Sequence, residues 1–311
     1  MLFLFLLGLA AGMVVPVQTS INTKLIRFTH SSFYSSAISF SVGAIFLLLV
    51  NLIVTPSHFT PSFFANQSLN YTWFVGGLLG VIFLTGNLLL FPRLGASLTV
   101  IITIAGQIIM GVNIDTFGWF NADVQAFTFL KFVGVLLLFI GIIVMNYVRN
   151  KQKTEPSAMV LPWLVIGFMF GFAPPIQTAI NSQLGQQVHS SLFASLISFC
   201  IGAIALIIIT AFVNRSFKLS KFEPNIGKIK PIYFIGGILG VVFVTANIIL
   251  MPHLGAALTT IVGMLGQMLM GVIIDHFGIL GAKQNRINAR KIAGIICIFI
   301  GIILLLSLIH I

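Results

Sequence analysis

Charged residues are scarce in this 311-residue chain: they make up 7% of the sequence, and only five residues are acidic. A soluble globular domain carries roughly a quarter charged residues, so a chain with this composition could not cover a water-exposed surface. Hydrophobic residues reach 58%, and the mean hydropathy is +1.12. These values exclude a soluble fold and indicate an integral membrane protein.

Cysteine and the usual catalytic motifs are also rare or absent. The two cysteines, Cys200 and Cys297, are single residues within apolar segments, so we expect neither a disulfide nor a metal site. The sequence contains no paired metal-ligand motif, no glycine-rich phosphate loop and no His-x-x-x-His. We therefore predict a protein that is not an enzyme and that uses no cofactor and no metal.

Ten apolar segments each have close to the 20 or so residues that a membrane-spanning helix needs. The segments are continuously apolar and do not alternate with a period of two, which favours helices over a β-barrel. The predicted spans are residues 2–23, 33–54, 72–91, 94–113, 127–148, 161–182, 191–213, 231–250, 254–273 and 291–310. The predicted fold class is therefore an all-α integral membrane protein with ten transmembrane helices.

The second half of the chain repeats the first. Residues 18–22 (QTSIN) return as residues 177–181 (QTAIN), an offset of 159, and the spacing holds to within one residue through both halves. Repetition of a hydrophobic unit is how many membrane carriers build two faces around a central site. We predict one membrane domain made of two five-helix repeats, residues 1–150 and 157–311, joined by a short polar linker.

The placement of basic residues predicts the orientation of the chain. If the N-terminus lies outside, 15 of the 16 Lys and Arg residues fall on the inner side, and only Lys131 lies outside. Lys24 and Arg27 of the first repeat become Gln183 and Gln186 in the second. Because each repeat has five spans, we predict an inverted-topology repeat with both termini outside. The net charge of +11 is then explained by the basic residues that set the orientation in the membrane, and we predict no nucleic-acid partner.

Both halves carry Gln-x-x-x-Asn in the first helix, Gly-Gly-x-x-Gly in the third, and Pro-x-Leu-Gly-Ala leading to Gly-Gln and Asp-x-Phe-Gly. These motifs resemble those of the YdcZ-like group of the drug/metabolite transporter superfamily of bacterial inner membranes. The resemblance implies a multi-pass transporter of the bacterial cytoplasmic (inner) membrane. Relatives in the superfamily move amino acids, metabolites, sugar derivatives or cationic drugs. Many ten-helix relatives keep their termini in the cytoplasm, whereas the charge pattern here predicts the opposite.

Polar amides recur inside the predicted spans at matched positions. Those of the first helix lie four residues apart on one face, next to a proline that is expected to kink the helix, and the sixth helix repeats this arrangement. Amides donate and accept hydrogen bonds, so they can orient a polar substrate without fixing its charge. The alternative is that they only hydrogen-bond neighbouring helices. The predicted substrate-binding residues are Gln18, Asn22, Gln177, Asn181, Asn87, Asn247, Gln107 and Gln267, and the predicted hinge residues are Pro16, Pro174 and Pro175.

No Asp or Glu lies in the middle of a span, which argues against a permanently cationic drug as the substrate. Asp115 and Asp275 end the fourth and ninth helices, and each is a candidate gate or proton site on its own side of the membrane. The alternative for both is a solvated acid at the interface. His30 and His189 lie beside the starts of the second and seventh helices. They are candidates for helix-start hydrogen bonding or for proton sensing.

The sequence thus predicts a secondary active transporter that works by alternating access and exports a small polar metabolite or drug-like molecule. A proton gradient is the candidate driving force, because no nucleotide-binding element is present. A channel-like pore and a non-transporting membrane scaffold are the alternatives. The expected partners are the small-molecule substrate and membrane lipid, and the sequence leaves the oligomeric state open.

Overall fold

The computed structural model describes residues 1–146, 157–224, 227–279 and 288–306. Within the helices it does not describe the side chains of residues 88, 91–92, 95–98, 100–101, 145–146, 157–160, 275, 291 and 305–306. The predicted linker between the repeats and the side chain of Asp275 therefore lie outside the described part of the chain.

Helices make up most of the described residues. They are α1 (Leu2–Thr29), α2 (Ser32–Val54), α3 (Pro61–Ala65), α4 (Thr72–Phe117), α5 (Phe129–Asn146), α6 (Ser157–Phe170), α7 (Ala173–Gln187), α8 (Ser191–Asn214), α9 (Gly236–Phe277) and α10 (Ala289–Leu306). A short antiparallel hairpin, β1 (Phe222–Glu223) and β2 (Gly227–Lys228), lies in the loop between α8 and α9. Five helical segments of the described ranges are long and apolar enough to cross a membrane, and four shorter ones are also apolar. The predicted class, an all-α membrane protein, is confirmed.

Serine side chains begin the two helices that follow the repeated His-Ser-Ser motif. Ser31 Oγ at the start of α2 and Ser190 Oγ at the start of α8 accept hydrogen bonds from the backbone N–H three residues on, at 3.2 and 3.1 Å. His30 and His189 have a left-handed backbone (φ 52° in each) and lie where the preceding helices end. The prediction that the histidines make the helix-start hydrogen bonds was therefore wrong, because the serines make them.

Helix α4 turns back on itself. Its 46 residues would span ~69 Å if straight, about twice the ~30 Å hydrocarbon thickness of a bilayer. Leu90 and Ile102 both lie against Gly167 of α6, so the chain reverses direction between them. The predicted third and fourth spans, 72–91 and 94–113, fall on the two halves of α4.

Helix α9 has the same form, with a backbone break at its turning point. Leu250 and Val262 both lie against Gly8 of α1, and Gly255 between them has φ 76° and ψ 172°. Only glycine adopts such a backbone without steric cost. The predicted eighth span starts at residue 231, but Pro231–Phe234 forms a 3-10 turn and the α-helix begins at Gly236.

The predicted sixth span, 161–182, is divided into α6 and α7. The division falls at residues 171–172, and Pro174 and Pro175 lie in the first turn of α7, where proline is well tolerated. Pro16, by contrast, lies inside α1, which continues through it as a helix. The kink predicted in the second half is thus a division between two helices, α6 and α7. At the kink predicted in the first half, α1 remains one continuous helix.

Helices from the two halves pack against each other in matched pairs. Helix α1 contacts α9, α7 contacts α4, α2 contacts α8, and α5 contacts α10. The rings of Phe40 in α2 and Phe199 in α8, 159 positions apart, have centroids 5.1 Å apart. Gly141 of α5 lies against Gly294 of α10, and their counterparts at the offset of 160 make the reciprocal contact. Glycines let the backbones approach closely, as they commonly do between membrane helices.

We expect Gly266→Ala to destabilise the contact between α9 and α1. The added methyl group would meet the Leu9 carbonyl oxygen and lie 2.9 Å from Met13 N, and overpacking of this kind costs about 1–3 kcal/mol. Thermal unfolding in detergent should show a melting temperature lower by a few degrees. Gly271→Ala, in the same helix but with no atom within 4 Å of the added methyl, is the control. Equal melting temperatures for the two variants would contradict the expectation.

Candidate functional site

The four predicted amides of α1 and α7 each lie on a glycine of the opposite half. A methyl group at Gly240 would be 2.6 Å from Gln18 Nε2, and one at Gly80 would be 2.8 Å from Gln177 Nε2. One turn away, the side-chain oxygens of the two asparagines lie directly on glycine backbone. The four pairs are Gln18 on Gly240, Asn22 on Gly236, Gln177 on Gly80 and Asn181 on Gly76.

Each of the two asparagines also hydrogen-bonds a serine, and the two serines occupy equivalent positions in the two halves. Ser39 Oγ donates to Asn22 Oδ1 at 2.9 Å, and Asn181 Nδ2 donates to Ser198 Oγ at 3.1 Å. Asn22 is half-buried, whereas Asn181 is 1% exposed. Asn181 Oδ1 has no hydrogen-bond partner among the described residues. The two asparagines therefore hydrogen-bond neighbouring helices, and a buried acceptor remains on Asn181.

The rings of Phe40 and Phe199, which contact each other at a tilt, connect the two groups of amides. Phe40 lies against Gly80, which also carries Gln177, and Phe199 lies against Gly240, which also carries Gln18. The four amides of α1 and α7 and the two rings thus form one contiguous layer, the amide layer, built from both halves of the chain.

The four remaining predicted amides lie on α4 and α9. Gln107 and Asn247 are each 7% exposed, and Asn87 and Gln267 are half-buried. Asn87 Nδ2 donates to the Phe83 carbonyl of its own helix at 3.1 Å. Asn247 Oδ1 has no hydrogen-bond partner in the described part of the chain.

Asp115 caps a helix of the opposite half. Its Oδ1 accepts from Ala256 N at 2.6 Å and its Oδ2 from Ala257 N at 2.8 Å. These N–H groups follow the break at Gly255, where a new helical segment begins and the first backbone donors have no partner within the helix. A carboxylate at this position also interacts favourably with the helix dipole.

Burial excludes one of the two interpretations of Asp115, and its prediction as a gate or proton site remains a prediction. The residue is 4% exposed, so the alternative of a solvated interfacial acid was wrong. The side chain of its counterpart Asp275 lies outside the described residues, and its prediction as a gate or proton site is untested.

The loop after α4 is connected to Asp115 and to α5. Gln125 N donates to the Asp115 carbonyl oxygen at 2.8 Å, and Lys131 Nζ donates to Gln125 Oε1 at 3.2 Å. Asp115, Gln125, Lys131 and the break at Gly255 therefore form a single polar cluster at one end of the molecule.

A cavity of about 200 Å³ lies beside this cluster. It is bounded by the loop after α4, the last turns of α7 and the break in α9. The described lining residues are Phe120, Asn121, Ala122, Asp123, Gln125, Ala179, Ser182, Gln183, Gln186, Met251, Pro252, His253 and Gly255. None of the eight predicted amides belongs to this set.

Sequence reasoning missed this cavity, although a signal for part of it was present. Ala179, Ser182, Gln183 and Gln186 follow the spacing i, i+3, i+4 and i+7, so they share one face of α7. Two of them were noted only as the replacements of Lys24 and Arg27 in the first repeat.

Contacts between loops and helix turns hold the two halves together at each end. At one end His30 Nε2 lies 3.1 Å from Glu223 Oε1 and 3.1 Å from Ser220 Oγ. At the other end His58 Nε2 lies 2.8 Å from the Val188 carbonyl oxygen, next to His189, which is exposed. Both contacts join a loop of one half to the turn between the first two spans of the other half.

Comparison with known proteins identifies the family. A family model described as "Putative inner membrane exporter, YdcZ" matches the chain over residues 3–144 and 162–304. The chain belongs to this YdcZ family. It is therefore a multi-pass protein of the inner membrane and a member of an exporter family, as the resemblance of the sequence motifs predicted.

The fold is similar to that of a solved structure. A crystal structure of another protein superposes with a TM-score of 0.69, and the alignment covers 99% of this chain and 97% of that one. The two sequences are 12% identical, so the likeness shows a shared fold and no more. No curated protein matches the sequence of this YdcZ-family chain.

We expect Asp115→Asn to loosen the start of the helical segment after Gly255. The amide offers one acceptor oxygen where the carboxylate offers two, and a hydrogen bond to a charged group contributes about 1.5–3 kcal/mol. Hydrogen–deuterium exchange at Ala256 and Ala257 should become roughly tenfold to hundredfold faster. Asp123→Asn, which changes an exposed acid in the same loop region, should leave this exchange unchanged. Unaltered exchange in the Asp115 variant would show that the carboxylate does not hold this segment.

Proposed function

We propose that this YdcZ-family protein is a secondary active transporter that exports a small polar metabolite or drug-like molecule by alternating access. In this proposal ten spans form two inverted five-helix repeats with both termini outside. The observation that carries the proposal is the reciprocal amide layer. Each half lays a Gln and an Asn of its first helix on glycines of the other half, as expected where one site is shared by two oppositely oriented repeats.

The packing suggests which parts would move. One bundle consists of α1 and α9, which turns back on itself. The other consists of α6, α7 and α4, which also turns back on itself. Helices α2 and α8 lie against each other between the two bundles. Rocking of one bundle against the other would expose the amide layer first to one end and then to the other. The proposed points of bending are the helix interruptions at Gly255 and at residues 171–172. Pro174 and Pro175 lie within five residues of the interruption at 171–172, and Pro16 lies within five residues of Gly12 in α1.

Opening at either end would require that its contacts separate. The His30–Glu223 contact would open at the predicted inner end, and the His58–Val188 contact at the predicted outer end. Asp115 is the proposed proton site, because protonation of its carboxylate would remove an acceptor from the N–H groups of Ala256 and Ala257. This would couple a proton gradient to movement of α9. Asp275 and His189 are the corresponding candidates of the second half.

Two other functions would use the same fold differently. A pore would not show saturable counterflow, whereas a carrier would. A membrane scaffold would tolerate loss of the amide layer. The proposal of a protein without enzymatic activity rests on its membership of an exporter family.

Uptake into proteoliposomes tests the carrier and its site together. We expect saturable uptake of one class from a panel of neutral, zwitterionic and cationic metabolites, with a higher rate under an imposed pH gradient. Gln18→Leu combined with Asn181→Leu should abolish this uptake, because the amide layer loses polar groups from both halves, while insertion and expression remain normal. Asn66→Leu, in an exposed loop, is the control. Normal uptake by the double variant would refute the site, and non-saturable uptake would favour a pore.

Reporters at the two termini test the orientation. A phosphatase that is active only outside should be active at both ends of the chain, and a protein that fluoresces only inside should remain dark at both. The physical reason is that 15 of the 16 basic residues then face inward. Fluorescence at both termini would overturn the proposed topology without affecting the packing of the halves.

A further inference from the structure

We infer that the cavity beside Gly255 is a binding subsite for a small molecule that bears hydroxyl or amine groups and carries no net negative charge. The subsite lies outside the amide layer, at the end of the molecule where the loop of residues 55–71 packs. Its role in transport, as the place where the molecule is held before release or after entry, rests on the carrier function proposed above. The capacity of the subsite to bind such a molecule does not depend on the carrier function.

Ser182 provides the first reason to expect a ligand here. It lines the cavity and is 3% exposed, yet its Oγ has no hydrogen-bond partner among the described residues. A buried hydroxyl without a partner is costly and rare in folded proteins. Because the Oγ itself is buried, rotation of the Ser182 side chain towards the cavity would let a bound ligand supply the missing hydrogen bond.

Two glutamines of the lining are held in place by hydrogen bonds. Gln183 Oε1 accepts from Tyr71 OH at 2.9 Å, and Gln125 Oε1 accepts from Lys131 Nζ at 3.2 Å. Residues 120–125 come from the first half of the chain and residues 179–186 and 251–255 from the second. Binding sites commonly form at such interfaces between repeats, and movement of the halves would change the shape of this one.

Charge selects the class of ligand. Asp123 contributes a carboxylate to the lining, and the described lining residues include no Lys or Arg. An anion would meet a like charge here, which disfavours its binding. Hydroxyl and amine groups can donate to Asp123 and exchange hydrogen bonds with Ser182 and the glutamines.

The equivalent positions of the first repeat differ in charge. Gln183, Gln186 and His253 correspond to Lys24, Arg27 and Arg93, and Arg93 stacks over the ring of Trp163 at 4.5 Å. A site of this composition is therefore specific to one end of the molecule and is not repeated by the internal duplication.

Size limits the ligand further. A volume of about 200 Å³ corresponds to about six or seven water molecules at ~30 Å³ each. Asn121, Asp123, Gln186 and His253 are exposed at the rim, so the cavity can be reached from bulk solvent. A molecule of the size of a small amino alcohol or polyol fits this space.

Thiol labelling of the full-length protein tests the inference without the need for transport. In a variant with Cys200→Ala and Cys297→Ala, Ser182→Cys places a thiol in the cavity, and Asn66→Cys places one in the exposed loop at the same end. The rates of reaction with two impermeant methanethiosulfonates, one carrying trimethylammonium and one carrying sulfonate, are compared. The cation-to-anion rate ratio at position 182 should exceed that at position 66 by roughly three- to tenfold. Asp123→Asn should bring the two ratios together.

Protection by three two-carbon probes defines the ligand class. Ethanolamine and ethylene glycol should slow labelling of the Ser182→Cys variant, whereas glycolate, of similar size but anionic, should not. Equal rate ratios at positions 182 and 66, or equal protection by ethanolamine and glycolate, would refute the inference. The expected labelling in a protein that shows no uptake would leave the subsite standing and refute the carrier. Normal uptake with the contrary labelling result would refute only the subsite.

Discussion

Close approach of helix backbones at glycine is the constraint on which the rest of this structure depends. In lipid no hydrophobic force brings helices together, so packing and polar contacts must do it. Gly12 and Gly266 let α1 pack on α9, and their counterparts Gly171 and Gly106 let the junction between α6 and α7 pack on α4, almost backbone to backbone. This proximity places the side chains of Gln18 and Asn181 on glycines of the opposite half. The amide layer therefore exists only because the glycines are there.

The second constraint is that broken helices expose backbone donors where water cannot solvate them. At Gly255 two such donors are satisfied by Asp115, a residue of the other half. The same carboxylate thus stabilises the break and connects the halves at one end. In the proposed transport cycle, a residue in this position would link local hydrogen bonding to the relative movement of the bundles. This is why Asp115 is a more specific candidate for coupling than its place at the end of a helix suggested.

The repeats are alike in their interior and different at their ends. The ring pair of Phe40 and Phe199 and the two asparagine–serine contacts are almost related by symmetry. At the surface Lys24 is replaced by Gln183, and the cavity beside Gly255 has a polar lining without Lys or Arg among its described residues. Interior residues must fit each other in both halves, whereas in the proposed inverted topology the end residues would face opposite sides of the membrane and would be free to diverge.

The sequence by itself determined the membrane class, the internal repeat, the amides at positions 18, 22, 177 and 181, and most helix positions to within a few residues. These features depend on composition, periodicity and local spacing. Only the tertiary structure decided that Asp115 caps the segment after Gly255, that serines and not His30 or His189 begin the following helices, and that Ser182 lines a cavity. The hydrogen bond from Ala256 to Asp115 joins residues 141 positions apart, and no local pattern specifies which distant backbone will meet a given side chain.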